Sequence, residues 1–133
     1  MSGNGRVLVM DDEAVIQDIM QAMLNILSYE VEIASNGEEA VELFRKAHES
    51  GRPFDAVIVD LTIPGGMGGE EAIKRLSAID RDVRAIVTSG YSADPAVTNF
   101  RDYGFCDAII KPFNIQRLSN SLQNILSDAK KRT

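Results

Sequence analysis

The stretch VLVMDDEAV, residues 7–15, decides how the rest of this sequence is interpreted. It opens as an apolar run of strand-forming residues and stops abruptly at two adjacent carboxylates, Asp11 and Asp12, followed by Glu13. From Ala14 to Leu27 the apolar residues recur at the spacing of one helical face. The stretch therefore predicts a buried strand that ends in a cluster of acids and continues directly as a helix.

The same alternation of strand and helix recurs along the chain. Five apolar runs have the length and composition of strands: RVLVM (6–10), VEIA (31–34), FDAVIVD (54–60), RAIVTS (84–89) and DAIIK (107–111). The segments after them have a helical period. The first helix is predicted to bury Ile16, Ile19, Met20, Met23, Leu24 and Leu27. Five such units predict an α/β fold, in which helices cover both faces of a parallel sheet.

Two helix starts carry specific signals. Asn36 followed by Glu39 resembles a capping box. Asp94 followed by Pro95 predicts an N-cap with proline at the first helical position, opening a short helix.

Composition places the chain among globular proteins with one core. The 133 residues are 44% hydrophobic and 26% charged, which suits one domain over residues 1–133. We expect a core over about 5–128 and a short polar tail over 129–133, whose basic run at 130–132 is a solvated end. A net charge of −6 argues against direct nucleic-acid binding. The lone cysteine, Cys106, fits a reducing compartment. With neither a long apolar span nor a signal peptide, we expect no membrane association and a cytoplasmic location.

Polar side chains follow four of the predicted strands at the point where each ends. Ligands of open parallel sheets bind outside the carboxyl ends of the strands, and here those ends carry Asp11, Asp12, Asp60, Ser89 and Lys111. Two carboxylates about 4 Å apart repel by roughly 4 kcal/mol at an effective dielectric near 20. The cluster therefore needs positive charge, which Lys111 supplies in part. Oxygen ligands with open positions indicate Mg²⁺ for the rest, with Mn²⁺ as a substitute.

A magnesium site that keeps water ligands usually holds a phosphate. The hydroxyl of Ser89 and the ammonium of Lys111 are suited to bind phosphoryl oxygens. The carboxylate of Asp60, at the end of the central strand, is suited to accept the phosphoryl group as an aspartyl phosphate.

Four short motifs resemble those of the receiver domain of two-component response regulators. They are MDDE (10–13), VDLTIP (59–64), TSG (88–90) and KPF (111–113), in this order and each at a strand end. The resemblance spans about residues 5–128. It implies a flavodoxin-like (βα)5 doubly wound fold, with five parallel strands in the order 2-1-3-4-5.

The resemblance also implies a role for each acid. Asp60 matches the phosphoacceptor. Asp12 and Asp60 match the carboxylates that bind Mg²⁺ directly, and Asp11 matches the acid that acts largely through a bound water. Thr62 matches the residue whose backbone carbonyl completes the metal site.

Two further residues match the groups that bind the phosphoryl oxygens. Ser89 corresponds to the hydroxyl that moves toward them, and Lys111 to the ammonium that bonds them. Family members commonly have a cis bond between this lysine and the following proline, here Pro112.

The resemblance implies a switch that is not a turnover enzyme. Its donor would be a phosphohistidine on a sensor histidine kinase or a histidine phosphotransfer protein. The receiver would assist its own phosphorylation and dephosphorylation and change its partner-binding surface. Homodimers would form through the fourth helix, fifth strand and fifth helix. The leader SGNGR (2–6) and the run SGYS (89–92) favour a receiver of a hybrid sensor kinase over a free-standing regulator.

Two departures from the family pattern bear on switching. The family often has Tyr or Phe three residues before the lysine, where this chain has Ala108. Tyr91 or Phe105 are candidates to take its place. The loop PGGMGG (64–69) is one residue longer than the commoner pattern, and is interpreted either as a flexible partner-facing loop or as a longer turn.

Thr62 and Tyr91 flank the expected line of water attack, so we predict slow self-dephosphorylation.

Two other functions could use similar parts. A Mg²⁺-dependent phosphohydrolase with an aspartate nucleophile typically has a second acid two residues after it, where this chain has Thr62. A flavin-binding module would need a hydroxyl-rich phosphate loop after the first strand, where DDEA (11–14) would repel phosphate.

Overall fold

The structure, a computed structural model, describes residues 5–131, and side chains over 5–127. Within that range the strands are β1 (Arg6–Met10), β2 (Glu30–Ala34), β3 (Ala56–Asp60), β4 (Ala85–Ser89) and β5 (Asp107–Ile110). The helices are α1 (Ala14–Ile26), α2 (Gly37–Glu49), α3 (Gly69–Ile79), α4 (Pro95–Thr98) and α5 (Ile115–Lys131). A 3₁₀ helix over Phe100–Tyr103 follows α4 directly.

The strands form one parallel sheet in the order β2-β1-β3-β4-β5. β1 pairs with β2 through Met10 and Ala34 and with β3 through Met10 and Val59, so the strand ends lie side by side. Asp60 of β3 lies opposite Thr88 of β4. The predicted α/β fold and strand order are confirmed.

Two apolar clusters fill the space on either side of the sheet. Alternate residues of a strand point to opposite faces, so Leu8 and Met10 enter one cluster while Val7 and Val9 enter the other. The first cluster lies under α2 and α3 and includes Ala40, Phe44, Ala72, Ile73 and Leu76. The second lies under α1 and α5 and includes Met20, Leu24, Leu118, Leu122 and Ile125.

The helix-start signals are confirmed with one difference. The Asn36 side chain accepts a hydrogen bond from the backbone N–H of Glu39, 2.9 Å away. The Glu39 carboxylate, however, accepts from the N–H of Ser35 at 3.0 Å, one residue earlier than a capping box requires. At α4, Asp94 accepts from the N–H of Ala96 at 2.9 Å.

One expectation about the helices is wrong. Ile19 was predicted to face the core but is 44% exposed. Successive helical residues are turned by about 100°, so Ile19 lies at the flank of a face centred on Met20 and Leu24. α5 continues to Lys131, so its last residues belong to the stretch 129–133 that was predicted to be a polar tail. Residues 1–4, which include most of the leader, lie outside the described residues. So do residues 132–133 and the side chains of the basic run at 130–132.

A polar contact attaches α5 to β5. The buried hydroxyl of Ser121 donates to Asp107 Oδ2 at 2.6 Å, and Arg117 lies 3.3 Å from the same oxygen. The backbone N–H of Ala108 donates to Asp107 Oδ1 at 2.8 Å. Burial alone would raise the pKa of Asp107, but these donors and the Arg117 charge outweigh it, so the pKa lies below its usual value of 3.8.

Ser121→Ala is expected to lower the free energy of unfolding at pH 7 by about 2 kcal/mol, since a hydrogen bond to a charged group is lost. A carboxyl whose pKa is depressed by folding stabilises the protein above its unfolded pKa. The contribution of Asp107 is therefore complete at neutral pH and disappears as the pH falls through its folded pKa, below 3.8. Urea unfolding checks this, with the exposed Ser127→Ala as the control on the same helix. Equal losses in both variants would contradict it.

Candidate functional site

Three carboxylates meet where β1 and β3 end. Asp11, Asp12 and Asp60 each place a carboxylate oxygen within 4.8 Å of the other two. Asp11 and Asp60 are only 2% and 7% exposed, whereas Asp12 is exposed to solvent. They converge because β1 and β3 are adjacent parallel strands that end at one edge of the sheet.

Lys111, directly after β5, reaches into this cluster. Its Nζ lies 2.9 Å from Asp11 Oδ2 and 3.3 Å from Asp60 Oδ2, and its bond to Pro112 is cis. Burial alone would lower the pKa of Lys111, but the hydrogen bond to Asp11 and the charges of Asp60 and Asp11 outweigh it and raise the pKa. The ammonium therefore stays charged between two carboxylates.

Asp60 is costly to ionise in the absence of a further cation. Burial is the main cause that raises the pKa of Asp60, and the negative charge of Asp11 adds to it. Lys111 and the backbone N–H of Thr62 act in the opposite direction without cancelling the rise. A single ammonium thus does not neutralise the cluster.

The oxygen atoms at this edge suit a hard divalent cation. Among the described residues, none donates a hydrogen bond to the Asp12 carboxylate or to the Thr62 carbonyl. Asp12 and Thr62 are exposed residues that directly follow Asp11 and the Asp60–Leu61 pair in the chain. Carboxylate and carbonyl oxygens with room for water are the environment that Mg²⁺ prefers, so the residues fit this ion.

Ser89 lies at the end of β4, and its hydroxyl forms a hydrogen bond with the loop that follows the strand. Its hydroxyl accepts a hydrogen bond from the backbone N–H of Tyr91 at 3.0 Å. The neighbouring Thr88 is turned away, with its hydroxyl 3.5 Å from the carbonyl of Val59. Of the two hydroxyls that end β4, that of Ser89 is therefore the one that contacts the loop after the strand.

Phe105 and Tyr91, the two aromatic residues that could take the role of the missing Tyr or Phe at Ala108, differ in burial. Phe105 is buried in the core cluster under α2 and α3. Tyr91, by contrast, is 78% exposed. Tyr91 is therefore the candidate with freedom to move.

The glycine-rich loop after β3 is docked at one end. Met67 is buried, and its carbonyl accepts a hydrogen bond from the N–H of Gly37 at 2.9 Å. A Cβ on Gly37 would come within 2.7 Å of the Met67 side chain, so this contact requires glycine. Pro64 and Gly65 remain exposed, and Gly65 has a φ of 73°. The part of the loop around Met67 therefore agrees with the interpretation of the loop as a longer turn.

Comparison with known sequences decides the family. Residues 7–123 match the profile of the response regulator receiver domain. The chain belongs to the response regulator receiver domain family. This receiver domain is thus a phosphoacceptor switch of two-component signalling, and the match gives no support to the phosphohydrolase interpretation.

Relatives of this receiver domain fall into two groups by length. The chain is 29% identical over 123 residues to sporulation initiation phosphotransferase F of Bacillus subtilis, covering 92% of this chain and 94% of the relative. It is 34% identical over 121 residues to the chemotaxis protein CheY of Thermotoga maritima, covering 90% and 96%. Against the two-component response regulator ARR14 of Arabidopsis thaliana, at 31% identity, it covers 91% of this chain but only 31% of the relative.

Solved structures show the same receiver architecture. A receiver domain protein from Clostridium thermocellum matches with a TM-score of 0.85 at 26% identity, over 97% of this chain and 99% of that one. The receiver domain of sensor histidine kinase PA1611 from Pseudomonas aeruginosa, which holds a magnesium ion in its active site cleft, matches with a TM-score of 0.81 at 26% identity, over 92% and 98%. In the described part of this receiver domain, no helix combines the length and apolar character needed to cross a bilayer.

Proposed function

We propose that Asp60 accepts a phosphoryl group from a phosphohistidine of a sensor histidine kinase or histidine phosphotransfer protein. The observation that carries this assignment is the position of Lys111, whose ammonium contacts both Asp11 and Asp60 beside the exposed Asp12. We assign this reaction to a single receiver domain in the cytoplasm. It would act as a regulatory protein and not as a turnover enzyme, without direct contact to nucleic acid.

The transfer is a displacement at phosphorus. A carboxylate oxygen of Asp60 forms the new P–O bond, while the P–N bond to the donor imidazole breaks and its electron pair stays on nitrogen. Lys111 Nζ, 3.3 Å from Asp60 Oδ2, is placed to bond an oxygen of the transferred group. The hydroxyl of Ser89 would bond another, once it leaves the N–H of Tyr91.

The metal would be held by the oxygen cluster. We assign direct contacts to the carboxylates of Asp12 and Asp60 and to the carbonyl of Thr62, with Asp11 acting through water. When bound, Mg²⁺, or Mn²⁺ in its place, supplies the charge that orients the phosphoryl oxygens and offsets their repulsion from the carboxylates.

Release of Ser89 would carry the signal away from the site. Its Oγ holds the backbone of Tyr91, so moving it toward the phosphoryl group frees the loop that leads into α4. An open groove of about 550 Å³ lies between β5 and the start of α5; it is lined by Ala108, Ile110, Pro112, Phe113, Asn114 and Arg117. We propose that homodimers form through the surface of α4, β5 and α5, which includes this groove.

The exposed face of α1 supports docking of the donor beside Asp60. Three large apolar side chains, Val15, Ile19 and Ile26, are exposed on it, two of them by more than 65%. Asp18 is the one charged residue between Ala14 and Ile26. Their spacing of four and seven residues forms a single stripe, which suits a partner helix. The stripe begins three residues after Asp12, close enough for that helix to carry a phosphohistidine to the cluster.

Small phosphodonors test the proposed chemistry without a partner protein. Incubation with acetyl phosphate and Mg²⁺ is expected to add one phosphoryl group, seen by intact mass. EDTA is expected to prevent the addition, because the cluster would keep its uncompensated charge. Equal uptake in Mg²⁺ and in EDTA would count against the metal-assisted reaction.

Tyr91→Ala is expected to shorten the lifetime of the phosphorylated protein several-fold. Tyr91 lies two residues after Ser89, and its side chain is exposed. Its bulk would hinder a water molecule that attacks the phosphoryl group. The rate of dephosphorylation after removal of the donor measures the effect, with Ile26→Ala, at the 72% exposed last residue of α1, as the control for loss of a large exposed side chain. An unchanged lifetime would refute the role of Tyr91.

A further inference from the structure

The side chain of Gln17 connects two loops at the carboxyl edge of the sheet. Its Nε2 lies 2.6 Å from the backbone carbonyl of Asp11 and 3.3 Å from the hydroxyl of Ser35. Gln17 lies in the first turn of α1, where its backbone N–H already donates to the carbonyl of Glu13 at 2.9 Å. The side-chain amide is therefore turned back past the start of the helix, toward the acids.

The bond to Asp11 bears directly on Asp12. The carbonyl of Asp11 and the N–H of Asp12 belong to one planar peptide group, so a donor on that carbonyl fixes the plane from which Asp12 projects. Within residues 5–131 no other hydrogen bond holds this peptide group. Among the described side chains and backbone groups, none donates a hydrogen bond to the Asp12 carboxylate, so its position depends on its backbone.

The peptide groups on either side are held independently of Gln17. The N–H of Asp11 donates to the carbonyl of Ala34 at 3.0 Å. The N–H of Glu13 donates to Asp11 Oδ1 at 2.9 Å. Loss of the Gln17 amide would thus free one peptide group inside a loop that otherwise stays attached, with Asp12 as the acid most affected.

We propose that Gln17 is a positioning residue for the metal site, acting through the Asp11–Asp12 peptide group. The inference rests on the proposed function, in which Asp12 binds Mg²⁺ directly. Groups that orient metal ligands typically change metal affinity by about 10- to 100-fold when removed. Gln17 acts on a backbone carbonyl, one step further from the ion, so the effect belongs at the lower end of that range.

The test is Mg²⁺ binding to Gln17→Met, measured by titration calorimetry. Methionine has nearly the length of glutamine and cannot donate a hydrogen bond. Gln21→Met, one turn further along the exposed side of α1, is the matched control. We expect about tenfold weaker Mg²⁺ binding for Gln17→Met and wild-type affinity for Gln21→Met. Loss of the hydrogen bond to the Asp11 carbonyl is expected to lower the thermal midpoint of Gln17→Met without Mg²⁺, but a purely structural role would leave its Mg²⁺ affinity equal to that of Gln21→Met.

Labelling by acetyl phosphate provides a second measurement. For Gln17→Met, the Mg²⁺ concentration that gives half the maximal rate is expected to rise about tenfold, while the rate at saturating Mg²⁺ returns to near that of the wild type. Equal Mg²⁺ affinity in Gln17→Met and Gln21→Met would overturn the role of Gln17 and leave the proposed function standing. Failure of the wild-type protein to bind Mg²⁺ would overturn the metal site, and this inference with it.

Discussion

Asp60→Asn is expected to make the protein more stable without Mg²⁺, by about 1 to 2 kcal/mol in the free energy of unfolding. Asp60 is 7% exposed and shares one cluster with Asp11 and Asp12. Two carboxylates at about 4 Å repel by roughly 4 kcal/mol at an effective dielectric of 20, and the loss of the contact with Lys111 offsets part of the gain. Asparagine keeps the shape of the side chain and removes the charge.

The pH dependence of this gain follows from the raised pKa of Asp60. A carboxyl whose pKa is raised by folding destabilises the protein where it is ionised, and the penalty is relieved as the pH falls through the folded pKa. The difference in stability between wild type and Asp60→Asn is therefore complete above the raised pKa of Asp60 and closes as the pH falls to 3.8, the ordinary value.

Mg²⁺ is expected to reverse the order of stability. A ligand that binds only the folded state stabilises it in proportion to the logarithm of its concentration over the dissociation constant. The wild type should gain stability with Mg²⁺, and Asp60→Asn should gain little. Urea unfolding with and without Mg²⁺ measures both effects, with the exposed Asp82→Asn as the control for an ordinary surface acid. A destabilised Asp60→Asn protein would contradict the account of a repulsive cluster.

Lys111→Met is expected to slow phosphoryl uptake from acetyl phosphate about a hundredfold at saturating Mg²⁺. Removing one preorganised donor from a site where charge develops costs roughly 10²- to 10³-fold in rate, and Lys111 Nζ is 3.3 Å from the attacking carboxylate. Mg²⁺ binding is expected to become tighter, because the ammonium no longer competes for Asp11 and Asp60.

The same substitution is expected to destabilise the protein without Mg²⁺, by about 3 kcal/mol. Breaking a buried ion pair leaves a charge without its partner, and Asp11 is 2% exposed. Lys111→Met and Asp60→Asn thus change stability in opposite directions. Lys74→Met, at an exposed position of α3, controls for the loss of a lysine. Wild-type labelling rates in Lys111→Met would show that the ammonium has no part in the transfer.

The strands and their alternation with helices were predictable because they depend on patterns that a sequence carries directly, whereas the order of the strands in the sheet followed from the family resemblance. Each β-strand is a short apolar run, and the polar residue at its end marks the edge where ligands bind. Asp11, Asp60 and Lys111 meet for that reason alone. Their roles as phosphoacceptor, metal ligands and phosphoryl contacts remain predictions, which rest on the family resemblance.

Side-chain contacts inside the site were not predictable to the same degree. The sequence placed Lys111 at the same edge as the acids without pairing it to one of them, and its shorter contact, 2.9 Å, is with Asp11. Which of two neighbouring carboxylates a flexible side chain meets depends on loop geometry of a few tenths of an ångström. Gln17 was missed because one polar residue at the start of an amphipathic helix is ordinary. Ile19 was misplaced because an apolar residue at the flank of the buried face has the same spacing as one inside it.

Intact mass after reaction with acetyl phosphate and Mg²⁺ tests the central assignment most directly. The measurement compares the wild type with Asp60→Asn and with Asp82→Asn as the control acid. We expect one added phosphoryl group on the wild type and on Asp82→Asn, and none on Asp60→Asn. A phosphoryl group on Asp60→Asn would place the acceptor at another residue and contradict the assignment of Asp60.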